Sequence, residues 1–306
     1  MSLQSFTLPA YAKINWTLYV LGRRPDGFHE LRTIFQTVTL HDRLTFAERA
    51  DDRLILTCDD SNLPVDERNL VLRAGLALRE KYKIREGAGL HLEKRIPSEA
   101  GMGGGSSDAA IALLGLAHLW KIQTSKAELA EIGAGLGADA PFFLTGGTAL
   151  GTGLGTEIKP LPDLRAEHLL IIKPSAKVST VEAYKALKRP ALTKEESDII
   201  LSISRAEALI RDSLHEALHN DFERAIYELY PEIARARASL IGQGAKGALL
   251  AGSGSCVFGI FENEEALRLA RSVLERERGW RVFTSAALTR TAYMESLGAC
   301  AALLHE

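Results

Sequence analysis

The spacing of apolar positions changes several times along the chain. Ile14, Trp16, Leu18 and Val20 alternate as on one face of a strand, and further strand-like runs cover residues 31–40, 44–48 and 54–58 between turn residues. The first third therefore predicts a largely antiparallel sheet. Helical spacing begins near Asn69 with Leu70, Leu72, Leu76 and Ala77. Leu90, Leu92 and Ile96 then alternate like a half-buried strand, and Ala109, Leu113, Leu116 and Trp120 recur at helical spacing. Ser125 with Glu128 three residues on is a capping-box signature for another helix start.

Residues 146–162 are rich in glycine and proline, and a new strand pattern follows at 169–172. Helical patterns occupy 204–219, 222–229 and 232–240, broken by Pro231 and Gly242. Strand patterns at 248–250 and 256–261, a helix over 264–276 and a strand at 282–283 complete the reading. Strands and helices segregate in this order, which predicts an α+β fold. The expected division is into two domains, 1–158 and 159–306, with the site in the cleft between them.

Composition narrows the partners. A 306-residue chain with 46% hydrophobic residues can bury a large core, and a formal charge of −2 argues against a broad surface for nucleic acid or anionic membrane. No apolar run reaches the roughly 18 residues of a membrane span, and the polar start lacks a secretory pattern, so the expectation is a cytoplasmic protein acting on a small molecule. Cys58, Cys256 and Cys300 are too scattered for a zinc site or a disulfide framework.

The most informative segment is Pro97-Ser98-Glu99-Ala100-Gly101-Met102-Gly103-Gly104-Gly105-Ser106-Ser107-Asp108, which lies between a strand pattern and a helix pattern. Glycines let a backbone approach an anion, and a helix N-terminus offers unpaired N–H groups with partial positive charge. The segment reads as a phosphate cradle for a nucleotide. It matches neither the P-loop nor the dinucleotide fingerprint.

Four other segments are open to two readings each. Lys13 and Asn15 share one face of the first strand and either line a cleft or form a solvated edge. Phe28 and His29, in a turn-rich stretch, either present rings to a base or tuck Phe28 into the core. Asp139, between a glycine-ended helix and Pro141, either caps a turn or acts as a catalytic carboxylate. Ala251-Gly252-Ser253-Gly254-Ser255 is either a tight hairpin or a second anion contact.

Taken together, the segments Ala12-Lys13-Ile14-Asn15, Asp26 to Thr33, Gly103 to Ala110 and Gly137 to Pro141 resemble the GHMP kinase superfamily, and within it the 4-diphosphocytidyl-2-C-methyl-D-erythritol kinases. The resemblance extends over most of the chain. It implies transfer of the ATP γ-phosphoryl group, with Mg2+, to the 2-hydroxyl of cytidine-diphosphate methylerythritol by a monomer or weak homodimer. It also implies roles for individual residues: Pro97 to Ser107 wrap the ATP phosphates with Ser106 or Ser107 near the metal, and Asn69, Leu70 and Lys94 border the nucleotide. Lys13 and Asp139 form the catalytic pair, Asn15 and Thr180 surround the methylerythritol group, His29 hydrogen-bonds cytosine, and Phe28 and Tyr184 sandwich it. The chain departs from the pattern in three ways. Phe28 replaces a common tyrosine, Met102 replaces a common leucine, and Glu99-Ala100 stands where more glycine is frequent, implying less backbone freedom. The rival readings are another small-molecule kinase of the superfamily and a nucleotide-binding module without catalysis.

Overall fold

The computed structural model describes residues 5–188 and 217–305. Strands β1 (Ser5–Arg23) and β2 (His29–Glu48) form a long antiparallel pair whose register runs from Ser5 opposite Ala47 to Arg23 opposite His29. The apolar pattern predicts a break in β2 that does not occur. Asp42, one of the polar residues at the expected break, is fully buried, and its carboxylate accepts the N–H groups of Arg95 and Ile96 at 2.5 and 2.8 Å. Its polarity satisfies a neighbouring loop, so the strand continues.

β3 (Leu54–Cys58) and β4 (Ala88–Glu93) pair in parallel and extend this sheet on one side of β2, while β5 (Thr148–Gly153) and β6 (Glu157–Pro160) add antiparallel strands along its other half. Ile96, expected at the end of a strand, lies beyond β4 in the following loop. Helix α1 (Leu70–Tyr82) starts where Asn69 accepts the Val71 N–H. Helix α2 (Gly104–Leu119) is largely apolar beyond its first turn and buried on most sides, which fits a helix enclosed between a sheet and other helices. α3 (Lys126–Leu136) begins with the expected Ser125–Glu128 capping box, and the short α4 (Ala140–Phe143) follows.

The second sheet, among the described residues, has the order β11 (Arg281–Ser285), β7 (Leu169–Lys173), β10 (Val257–Ile260), β9 (Gly247–Leu250), antiparallel throughout. Helices α5 (Thr180–Leu187), α6 (Glu223–Leu229), α7 (Pro231–Gly242) and α8 (Glu264–Leu274) accompany it. The two-residue strand β8 (His219–Asn220) pairs with β1 of the first sheet. Most of the helix expected over 204–219 lies outside the described residues.

An apolar seam joins the two sheets. Ile14, Trp16 and Ile34 pack with Leu169, Ile171 and Phe258, and the Trp16 and Phe258 rings meet edge to face at 5.7 Å. The chain then returns to its first half. Helix α9 (Arg290–Ser296) and the 3-10 turn Gly298–Leu304 place Tyr293, Leu297 and Cys300 in the core around α2, and the Tyr293 hydroxyl donates to the Phe143 carbonyl. Sequence periodicity gives little sign of this return, because each segment is short.

Candidate active site

A cleft of about 1360 Å³ opens beside the seam. Its walls include Lys13 and Asn15 of β1, Phe28 and His29, Asn69, Leu70 and Lys94, the loop from Pro97 to Ser106, Asp139, and Thr180 and Tyr184 of α5. Segments separated by more than a hundred residues thus meet on one surface. Of the residues to which the resemblance gives a role in the site, Ser107 is the one behind the wall. It is fully buried, and its hydroxyl has no hydrogen-bond partner among the described residues.

The glycine loop bridges β4 and α2. Gly101 and Gly103 have φ of +73° and +69°, in the left-handed region that a side chain resists. Gly101 also has no room for one, since a Cβ there would lie 1.9 Å from the Ala251 carbonyl oxygen. Glu99 adopts φ of +51° without being glycine, a conformation that costs roughly 1–2 kcal/mol. The loop is held from two sides: Lys13 N–H donates to the Met102 carbonyl at 3.0 Å, and Cys256 N–H to the Ala100 carbonyl at 3.2 Å. The Ala251–Ser255 turn is therefore both a hairpin between β9 and β10 and the backing of the loop. Helix α2 begins at Gly104 with no side-chain cap and no acidic residue in its first turn, so its terminal N–H groups remain available to an anion.

Asp139 stands at the N-cap of α4 but its side chain caps nothing. Its carboxylate instead pairs with the Lys13 ammonium at 3.4 Å. Lys13 is 4% exposed, which removes the solvated-edge reading, and its ammonium also donates to Asn15 Oδ1 at 3.0 Å. Asn15 Nδ2 donates to the Thr33 hydroxyl at 2.7 Å, which in turn donates to the Thr17 carbonyl at 2.6 Å. A buried chain of hydrogen bonds thus fixes the amide so that its oxygen faces Lys13. The Phe35 ring lies 5.4 Å from the ammonium and supports it by a cation–π contact. The structural roles of Thr33 and Phe35 have no sequence signal of their own, because strand threonines and phenylalanines are common.

At the far end of the cleft Phe28 is 62% exposed, so it is not tucked into the core. His29 stacks on Tyr184 with centroids 4.8 Å apart and planes 27° from parallel. Burial, with Arg23 nearby, holds the His29 imidazole below its usual range, which favours the neutral ring. Burial, reinforced by the Asp139 charge, raises the Tyr184 phenol and keeps it protonated. Asn69 spends its amide internally: Oδ1 caps α1, and Nδ2 donates to the Pro64 carbonyl at 2.8 Å, shaping the 64–69 loop at the cleft rim.

The sequence family described as GHMP kinases N terminal domain matches residues 69–147, and GHMP kinases C terminal matches 202–279. A 4-diphosphocytidyl-2-C-methyl-D-erythritol kinase of Pelotomaculum thermopropionicum is 42% identical over 275 residues, 89% of this chain and 93% of the relative. One from Syntrophotalea carbinolica is 39% identical over 281 residues, 92% of this chain and 98% of its own length. A crystal structure of 4-(cytidine 5'-diphospho)-2C-methyl-D-erythritol kinase superposes with a TM-score of 0.76 at 32% identity, covering 92% of this chain and all of that one (100%). A homoserine kinase structure from Cytophaga hutchinsonii has a TM-score of 0.71 at 20% identity, with 94% and 96% coverage, and shares the fold. The chain belongs to the 4-diphosphocytidyl-2-C-methyl-D-erythritol kinase family of GHMP kinases.

Proposed function

We propose that the chain phosphorylates the 2-hydroxyl of 4-diphosphocytidyl-2-C-methyl-D-erythritol with ATP, giving the 2-phosphate and ADP, in non-mevalonate isoprenoid precursor synthesis. One observation carries this reading. A carboxylate with no capping role meets a buried lysine between a phosphate cradle and an aromatic-lined end of the same cleft.

Phosphoryl transfer asks a protein mainly to align donor and acceptor and to neutralise the moving charge. The loop from Pro97 to Ser106 and the first N–H groups of α2 receive the ATP phosphates, and the 64–70 segment borders the base. Asp139 accepts the proton of the 2-hydroxyl. Lys13 holds that carboxylate in place and faces the transferring group, while Asn15 and Thr180 border the methylerythritol. The hydroxyl donors here fit Mg2+: Ser106, which lines the cleft, and Ser107, whose buried hydroxyl has no partner among the described residues, would hold it. Bound there, magnesium supplies charge neutralisation to the phosphates.

The acceptor's cytosine binds at the Phe28 end. His29 stacks on Tyr184 in the structure, and in this reading a base between Phe28 and Tyr184 would replace that stack. The neutral imidazole then turns to the base edge. Domain limits of 1–158 and 159–306 divide the cleft in this reading, but β6 straddles that limit, β8 pairs with the first sheet and residues 290–304 return to the first core; a monomer or weak homodimer in the cytoplasm suffices for the reaction. Among the described residues no helix is long and apolar enough to cross a membrane. The test is acceptor choice: purified protein with ATP should convert the cytidine-diphosphate substrate and leave homoserine and mevalonate unchanged. Turnover of either of the latter at a comparable rate would overturn the assignment.

A further inference from the structure

At the foot of the glycine loop, where Lys94 and Asp108 line the cleft, lies a largely buried ionic cluster that phosphoryl transfer does not itself require. The Lys94 ammonium donates to Asp42 Oδ2 at 2.5 Å and to Asp108 Oδ2 at 2.8 Å. The three side chains are 7%, 0% and 5% exposed. Lys94 is the residue at which the loop leaves β4, and Asp108 stands one turn inside α2, where the loop has ended. Asp42, on β2, also accepts the Arg95 and Ile96 N–H groups through its other oxygen, and Asp59 Oδ1 accepts the Lys94 N–H at 2.8 Å. Both ends of the phosphate loop are thereby tied to each other and to one strand of the sheet.

We infer that Asp108 is a positioning residue for ATP: through Lys94 and Asp42 it clips the two ends of the glycine loop together and so sets the spacing of the amides that receive the phosphates. This inference rests on the ATP-site reading above. It also adds to the role of Lys94, which borders the cleft while two carboxylates engage its ammonium.

Charge balance supports a positioning role over a purely stabilising one. Two carboxylates and one ammonium leave a surplus negative charge beside a site for a polyanion, and burying an unneeded charge is costly. The charged groups facing Asp108 are Lys94 and Asp42. Burial, opposed by Lys94 and reinforced by Asp42, raises the Asp108 carboxyl, which moves the cluster towards neutrality. A lysine with one aspartate would already be a balanced pair. The second carboxylate is explained by where it sits, on the helix that ends the loop. Its other oxygen, Oδ1, is buried with no hydrogen-bond partner among the described residues, so Oδ2 and Lys94 hold the side chain in place.

The test is Asp108→Ala, with Asp108→Asn as the variant that keeps the shape. Removing Asp108 leaves Lys94 paired with Asp42, so folding is retained. ATP affinity, read by calorimetry without acceptor, and the KM for ATP should weaken about 10- to 100-fold, equivalent to about 1.4–2.8 kcal/mol. The KM for the cytidine-diphosphate acceptor should stay within about twofold. Asp108→Asn, which can still accept from Lys94, should recover part of the loss. Wild-type ATP affinity in a folded Asp108→Ala protein would overturn the clip, as would equal weakening of both substrates. Failure of the wild-type protein to bind ATP would instead overturn the ATP-site reading itself.

Discussion

Gly101→Ala tests how closely the phosphate loop and the β9–β10 hairpin depend on one another. The added methyl would lie 1.9 Å from the Ala251 carbonyl oxygen, 2.9 Å from its carbon and 3.0 Å from the Gly254 nitrogen, all backbone atoms. None can rotate away, so the loop and the hairpin have to separate. Alanine at a φ of +73° adds about 1–2 kcal/mol of left-handed strain. Overpacking typically adds about 1–3 kcal/mol, for a total loss of roughly 2–5 kcal/mol. At roughly 2 °C per kcal/mol for a chain of this size, Tm should fall by about 4–10 °C. ATP affinity should weaken at least about tenfold, because the displaced segment is the cradle itself. Gly103→Ala is the internal control. It carries similar strain at φ of +69°, but its methyl meets the Phe143 ring at 2.9 Å and Lys13 Cγ at 3.1 Å, side chains with some freedom to move. Thermal melts and ATP calorimetry on both variants read the difference. If Gly101→Ala melts no lower than Gly103→Ala and binds ATP normally, the loop and hairpin are not coupled as the geometry requires.

Asp139→Asn should lower kcat by about 10²–10⁴ while ATP binding is retained, and near-normal turnover would remove Asp139 from the chemistry. Thr33→Val leaves the Asn15 amide and the Thr17 carbonyl without their partner, a loss of roughly 1–3 kcal/mol. It should reduce kcat at unchanged ATP KM, with Thr33→Ser restoring activity; an effect on ATP KM alone would contradict the relay to Lys13. Phe28→Ala should weaken the acceptor by roughly 1–3 kcal/mol, the worth of one stacked base, and a change confined to ATP would place Phe28 on the wrong substrate.

Much of the site is legible in sequence because it resides in short segments whose residue types are unusual for their position. Four glycines before an apolar helix, a lysine and an asparagine two apart on a strand, and an aspartate before a proline each stand out locally. What local sequence leaves open is which of two uses each residue serves. For Asp139 the three-dimensional partner removes the capping use, since the side chain turns from its own helix to Lys13. For Phe28 exposure removes the core use. The relay through Thr33 and the clip through Asp42 are harder to read, because their residues are ordinary in strands and gain meaning only from what the fold places opposite them. Asp42 misleads in particular: a charged residue between two apolar runs signals a turn, yet here it is buried to serve the loop across from it. The return of α9 and the following 3-10 turn to the first core is similarly invisible in local spacing, which carries no information about where a short segment docks.

On the function proposed above, one cleft aligns the γ-phosphoryl group of ATP with the 2-hydroxyl of the cytidine-diphosphate acceptor across Lys13 and Asp139. The most direct measurement is phosphorus NMR with mass spectrometry of the product formed by the wild-type protein and by Asp139→Asn. Wild type should give a new phosphomonoester on the 2-oxygen, with the diphosphate bridge intact, and the variant only trace amounts. Phosphate at another oxygen, or equal yield from both proteins, would contradict that alignment.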